Sequence, residues 1–257
     1  METFKKTALK AAELSAKKLI NIYNNFERSS IKMKSSHEII TSADLLSEKI
    51  IISEIKKNFP KHHILSEETG DNNKKSDYLW IIDPIDGTTN FSMKNPLWAI
   101  SIALAYKNEI ILGVVFAPIL KEVYVAQKNK GSFLNNKKIK VSKIKGEKVL
   151  NTFCHGSKTE NIKKAIKYYN KQKLNNFDCR QLGSASIELA YVACGRIESI
   201  TIPGAHSWDV AAGALIVKEA NGKVSDFKNK NWDLSSKDII ASNGLVHQQI
   251  IDTVKNL

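Results

Sequence analysis

The chain has 257 residues, 42% hydrophobic and 25% charged, and its 39 Lys and Arg against 26 Asp and Glu give a formal net charge of +13. That composition is ordinary for a globular protein with a sizeable core, built as one large domain or two closely packed halves. No apolar run approaches a bilayer span, and Met1-Glu2-Thr3-Phe4-Lys5-Lys6 lacks the apolar centre of a secretory signal, so no membrane-spanning segment and a cytoplasmic location are expected.

Phe4 to Phe26 reads as an amphipathic helix, with Ala8, Ala11, Ala12, Leu19, Ile22 and Tyr23 at helical spacing. The polar stretch from Ser29 to Glu38 is expected to be a mobile loop. Thr41-Ser42-Ala43-Asp44 opens a second helix running to about Phe59, with Leu45, Ile52, Ile55 and Phe59 on one side and Pro60 as its stop. His62-His63 suits a solvated turn. Tyr78 to Ile82 suits a buried strand that stops at Asp83, where Pro84 removes a donor and is expected to bend the chain away from the sheet. Trp98 to Tyr106 and Glu109 to Ala117, separated by Lys107-Asn108, carry a hairpin signature, and Val123 to Ala126 and Gly131 to Leu134 continue the meander.

Val141 to Gly146 is polar enough for a junction, dividing the chain into an N-terminal half over 1–145 and a C-terminal half over 146–257. Beyond it the strands Leu150 to Cys154, Glu198 to Ile202 and Asp238 to Ala241 alternate with helices at Thr159 to Tyr169, Ser184 to Cys194, Trp208 to Ala220 and Leu245 to Val254. This alternation argues α/β, while the hairpin before it argues α+β. Cys154, Cys179 and Cys194 are odd in number and widely spaced, which argues against a disulfide framework or a zinc site and suits three buried small side chains.

The excess of positive charge is compatible with anionic substrates, nucleic acid or an acidic membrane surface. The lysines are spread along the chain, and no aromatic-interleaved basic block is present. Composition scattered over solvated faces is the favoured reading, and nucleic acid is not the favoured partner.

The chemistry concentrates in Trp80-Ile81-Ile82-Asp83-Pro84-Ile85-Asp86-Gly87-Thr88-Thr89-Asn90-Phe91. It brings two carboxylates to one strand end, three residues apart, beside a glycine that lets a ligand approach the backbone. Hard divalent cations take oxygen ligands, so this is a platform for a metal pair, whereas a lone Asp-x-x-Asp-Gly is more often only a turn. The whole string, with Ser66-Glu67-Glu68 before it and His206-Ser207-Trp208-Asp209-Val210-Ala211-Ala212-Gly213 after it, resembles the signatures of the inositol monophosphatase family of magnesium-dependent, lithium-sensitive sugar phosphatases.

The resemblance covers nearly the whole chain. It implies a layered α-β-α-β-α sandwich, a homodimer, and a phosphomonoesterase that uses two or three magnesium ions and a small phosphate monoester. It also implies that Glu67, Asp83, the Ile85 carbonyl, Asp86 and Asp209 hold metal, with Glu67 and Thr88 acting on the nucleophilic water. Asp44 is the hydrogen-bond partner of Thr88 on this reading, although its place in the first turn of a helix is equally structural. Asp86, Gly87, Thr88 and Ala185 are the implied substrate contacts. His206, three residues before Asp209, is not a ligand position in that family, and packing or surface exposure is expected there.

One departure stands out. Inositol-specific members carry a glutamate seven residues before the Trp-Asp aspartate, and here that position is Ile202. Isoleucine cannot accept a hydrogen bond from a ring hydroxyl, so fructose 1,6-bisphosphate, histidinol phosphate, other sugar phosphates, NADP and nucleotide 3′-phosphates stay open beside inositol phosphate. A rival reading is a non-catalytic protein on the same fold that contacts RNA or a transcription complex; a complete carboxylate set argues against it.

Overall fold

The computed structural model describes residues 1–27, 31–33, 39–255 and 257. Helices α1 (Glu2–Asn24) and α2 (Ser42–Asn58) pack on each other and on one face of the larger sheet. Between them in the chain, β1 (Lys32–Met33) and β2 (Ile39–Ile40) pair antiparallel. Of the polar stretch expected to be mobile, residues 29–30 and 34–38 lie outside the described residues.

The larger sheet has eight strands among the described residues: β3 (His63–Ser66), β4 (Gly70–Asp71), β5 (Tyr78–Asp86), β6 (Ala99–Tyr106), β7 (Glu109–Ala117), β8 (Glu122–Gln127), β9 (Gly131–Leu134) and β10 (Lys137–Ile139). Their order is β10-β9-β8-β7-β6-β5-β3-β4, with β3 and β5 parallel and the other pairs antiparallel. A short helix, α3 (Thr88–Ser92), follows β5. The β6–β7 hairpin turns at Lys107 and Asn108 with φ of 49° and 65°, the left-handed pair that matches strand twist in a two-residue loop.

The second sheet has the order β12-β11-β13-β15-β14, from β11 (Leu150–Phe153), β12 (Asp178–Arg180), β13 (Ser199–Pro203), β14 (Lys223–Ser225) and β15 (Asp238–Ser242). Helices α5 (Ala185–Ala193) and α6 (Ser207–Glu219) lie between the two sheets, and α4 (Thr159–Leu174) and α7 (His247–Val254) cover the far face of the second. The result is the expected five-layer α-β-α-β-α sandwich. Three apolar clusters fill it: one under α1 and α2, one around α5 and α6, and one beneath α4 and α7. α5 is apolar on nearly every side because both its faces are covered, which is why its sequence shows no polar stripe.

Four details differ from the sequence reading. The strand does not stop at Asp83: β5 runs on to Asp86, and a bulge between them absorbs Pro84, with Asp83 opposite Ser101 and Asp86 opposite Ala99. Leu45 is 50% exposed, and the buried face of α2 instead carries Ala43, Asp44, Ser47, Glu48, Ile51 and Ile55. His62 is no solvated turn residue; it stacks on Tyr78 at 4.8 Å, and Trp80 Nε1 donates to its Nδ1 at 3.1 Å. Cys194 is only partly buried, unlike Cys154 and Cys179. Among the described residues no helix is long and apolar enough to cross a membrane.

His247 marks a pH-sensitive point in this frame. Ser225 Oγ gives its proton to the Asp226 carbonyl, so it accepts from His247 Nε2 at 2.9 Å, and Ser242 Oγ donates to Nδ1 at 2.8 Å. That pairing suits the neutral ring, and burial, helped by Lys223, depresses its pKa to about 4. The unfolded chain takes up this proton near pH 6.5, whereas the folded protein does so only near 4. The stabilisation is therefore intact above pH 6.5 and lost progressively as pH falls toward 4, by about 3 kcal/mol. Urea unfolding between pH 7 and 4.5 should show this loss in the wild type and a flatter profile in His247→Asn; parallel profiles would refute it.

Candidate active site

The bulge in β5 and the left-handed Gly87 together aim the site. Asp83 is 2% exposed and its Oδ1 accepts the Ile85 N–H at 3.0 Å, which fixes the carboxylate against its own bulge. Gly87 (φ 91°) caps α3 in a conformation that side chains resist, and a Cβ there would also press on the Leu97 carbonyl at 3.0 Å. The chain can thus turn sharply from Asp86 into Thr88. At five residues α3 is too short for a strong dipole, so what it offers an anion is its first N–H groups.

Helix α2 holds this arrangement from below through its polar buried face. Asp44 Oδ1 lies 3.0 Å from Thr88 Oγ1, while its Oδ2 accepts from Thr41 N and Oγ1 at 2.8 and 2.7 Å. Burial raises the Asp44 pKa, and the hydrogen bonds from Thr41 and Thr88 work against that rise. Ser47 Oγ donates to the Pro84 carbonyl at 2.8 Å. Glu48 Oε1 accepts the N–H groups of Glu68 and Thr69 at 3.1 and 3.2 Å, and Glu67 N donates to Ile82 O at 3.2 Å. One helix therefore positions the threonine, the bulge and the loop carrying Glu67. Ser47 and Glu48 were missed from sequence; the available signal was a polar stripe, Asp44, Ser47 and Glu48, at helical spacing.

Asp86 is held differently. Its Oδ2 accepts from Ser184 Oγ, Ser186 Oγ and, at 2.8 Å, Ser186 N, while its Oδ1 accepts from Ala185 N at 3.2 Å. The start of α5 is thereby tied to the end of β5, and the Ala185 N–H is directed at Asp86. Burial raises the Asp86 pKa against these four donors. The loop before α5 is anchored by Glu188, a fully buried carboxylate that sequence reading also missed. Its Oε1 accepts from Leu182 N and Gly183 N, each at 3.1 Å, and from Cys154 Sγ at 3.0 Å. Burial pushes the Glu188 pKa up to about 7.

Asp209 is in the first turn of α6 and accepts the His206 N–H at 3.0 Å, so it caps its helix as well as facing the site. His206 stacks on Trp208, with ring centres 4.6 Å apart, in keeping with the packing role expected of it. Glu67, Asp83, Ile85, Asp86, Gly87, Thr88, Ala185, Ile202 and Asp209 all line one cavity of about 220 Å³. Of the residues given a catalytic, metal or substrate role from sequence, only Asp44 does not line it, reaching it through Thr88.

Burial is the largest cause of the raised Asp83 pKa, followed by the charges of Glu67, Asp86 and Asp209. A cation placed among these carboxylates would offset that crowding of like charge, and oxygen donors are what magnesium requires. As they stand, no three His, Cys, Asp or Glu among the described residues form a ready chelate.

Comparisons with known proteins bear on the family and the fold. The sequence model described as the inositol monophosphatase family matches residues 1–257. The chain is 39% identical over 220 residues to a fructose-1,6-bisphosphatase/inositol-1-monophosphatase of Thermotoga maritima, covering 86% of this chain and 84% of that one. It is 32% identical over 265 residues to the Nus factor SuhB of Pseudomonas aeruginosa, covering 99% and 97%. The crystal structure of the extragenic suppressor protein suhB from Bartonella henselae superposes with a TM-score of 0.92 at 29% identity, over 99% of both chains.

Proposed function

The chain belongs to the inositol monophosphatase family, and from that premise we propose that it is a magnesium-dependent phosphomonoesterase acting on a small phosphorylated metabolite. The observation that carries the proposal is the convergence of four carboxylates, Glu67, Asp83, Asp86 and Asp209, with Ile85 and Thr88 on one cavity. Glu67, Asp83, the Ile85 carbonyl, Asp86 and Asp209 would hold the metal. Magnesium, when bound, acidifies water and neutralises the charge that develops on the phosphate oxygens.

The rest is the work of this chain's own groups. Thr88 has one hydroxyl proton and two acceptors at 3.0 Å, Asp44 Oδ1 and Ile85 O. Given to Asp44, that proton leaves the Ile85 carbonyl for a cation and turns a Thr88 lone pair toward the attacking water. Glu67 would take the water's proton at its carboxylate while Thr88 orients the remaining lone pair on phosphorus. As the new P–O bond forms the ester P–O bond breaks, and the leaving alkoxide takes a proton from solvent water. The N–H groups of Gly87 and Thr88 receive the phosphate oxygens. Ile202, 2% exposed in the same wall, offers the substrate body an apolar contact and no acceptor. A homodimer in the cytoplasm is part of the same reading.

Phosphate release should be measured with and without magnesium on inositol 1-phosphate, fructose 1-phosphate, fructose 1,6-bisphosphate, histidinol phosphate and adenosine 3′,5′-bisphosphate. Turnover of at least one ester that chelator abolishes is expected. Silence across the panel, with magnesium shown to bind, would overturn the proposal.

A further inference from the structure

Two side chains outside the ligand set grip the turn from Leu182 to Ser184 from opposite sides. One is Glu188, fully buried in the first turn of α5. Its Oε1 takes the N–H groups of Leu182 and Gly183, each at 3.1 Å, and the Cys154 thiol at 3.0 Å. The other is Asn90 in α3, whose Nδ2 donates to the Leu182 carbonyl at 2.8 Å and to the Leu97 carbonyl at 2.7 Å. Its Oδ1 accepts from Asn95 Nδ2 at 3.1 Å. Two carbonyl acceptors and one amide donor leave the Asn90 amide a single orientation.

The turn held in this way touches both halves of the site. Just after it, Ser184 Oγ and the N–H groups of Ala185 and Ser186 hold Asp86. Beside it is Gly87, where a Cβ would meet the Gly183 carbonyl oxygen at 3.1 Å and Ser184 Cβ at 3.3 Å. Gly183 is confined in its turn, since at φ 85° its own Cβ would meet Asn90 Nδ2 at 3.1 Å. Two glycines thus press the turn against the corner between β5 and α3 with no side chain between them. Gly183, Ala185 and Cys154 also line the 220 Å³ cavity. At such close packing a shift of the turn moves Asp86 and Gly87 together.

We propose that Glu188 and Asn90 are positioning residues for phosphate at this centre: they clamp the 182–184 turn, and the clamp sets where Asp86 and the Gly87 and Thr88 N–H groups stand. The inference rests on the phosphomonoesterase reading and deepens it. Glu188 suits the task in either charge state. Its Oε2 has no donor among the described residues. The neighbouring Thr152 hydroxyl gives its proton to Ser199 O at 3.2 Å and keeps a lone pair for a proton on Oε2. With its pKa pushed up to about 7 by burial, Glu188 carries that proton part of the time near neutral pH. The ionisable groups facing it are Cys154 and Cys179, and burial raises both thiols, so neither brings a competing charge.

The test uses Asn90→Ala, Glu188→Leu, the double variant and Glu188→Gln. Two readouts are needed: amide exchange at Leu182, Gly183 and Ala185 in chelator, and calorimetric binding of inorganic phosphate in magnesium. Asn90 touches none of those N–H groups, so faster exchange in Asn90→Ala reports the turn itself. Asn90→Ala and Glu188→Leu should each speed that exchange and weaken phosphate roughly tenfold or more, the scale of one or two lost hydrogen bonds. Because both act through one turn, the double variant should lose little beyond the worse single. Glu188→Gln keeps an oxygen for the turn and offers Thr152 an N–H, and should retain most of the affinity. If Glu188→Leu does not fold, Asn90→Ala, at a half-buried position, carries both readouts alone. Unchanged exchange or phosphate affinity in Asn90→Ala, losses that multiply in the double variant, or no rescue by Glu188→Gln would overturn the clamp. Phosphate bound and weakened as expected, with no ester hydrolysed, would leave the clamp standing and remove the phosphatase reading.

Discussion

Asp83→Asn should lower turnover by roughly a thousandfold or more, since several kcal/mol of charge stabilisation are at stake at about 1.4 kcal/mol per factor of ten. The same change should leave the metal-free protein at least as stable as the wild type. Asp83 is buried beside Glu67, Asp86 and Asp209, and its raised pKa reflects burial first and those charges second. Without a cation, ionised Asp83 is a liability to the fold, and a neutral amide of the same shape removes that liability while keeping an oxygen for the Ile85 N–H. Thermal unfolding with and without magnesium separates the two effects. The wild-type midpoint should rise with magnesium through preferential binding to the folded state, and the variant's should not. Normal turnover, or a large loss of metal-free stability, would sink the argument.

The sequence showed the carboxylates clearly and their supports poorly, for a physical reason. Asp83, Asp86 and Asp209 sit in strings whose residue types are unusual together, so their chemistry is local and readable. Glu48 and Ser47 act across the fold on the 67–69 loop and on the Pro84 carbonyl, and nothing adjacent to them in the chain announces those partners. Their polarity also diluted the apolar stripe of α2, which drew the reading toward Leu45 as a core residue when it is half exposed. Pro84 misled in the other direction. Proline usually ends a central strand, but a bulge stations it where the ladder needs no donor, and the strand survives to deliver Asp86. Most of the longer elements were legible because their apolar runs have strand and helix lengths, whereas their stacking into five layers was implied only by the family resemblance. The short strands β12 and β14 were not, at three residues each, because too little periodicity fits in them.

Asp86, three residues beyond Asp83 and identical in type, should respond to substitution with the opposite sign in stability. Its neighbours are donors: two serine hydroxyls and two N–H groups from the first turn of α5. Asp86→Ala leaves those buried donors without an acceptor and takes the negative charge from a helix start. A loss of about 3–5 kcal/mol in the metal-free protein is therefore expected. Asp86→Asn should cost less, about 1.5–3 kcal/mol, because its oxygen can still serve the serines while its NH2 faces the Ala185 N–H, donor against donor. On the proposed reading both variants also lose a metal ligand, so both should be nearly inactive, and activity alone cannot tell Asp83 from Asp86. Urea unfolding in chelator can: the expected order of stability is Asp83→Asn at or above wild type, then Asp86→Asn, then Asp86→Ala. If Asp86→Asn proved as stable as wild type while Asp83→Asn did not, the assignment of donors to one carboxylate and like charges to the other would be wrong. The sequence lends the two aspartates the same role; it is the serine-flanked helix start, some hundred residues downstream, that makes one a strut between layers and leaves the other dependent on a cation.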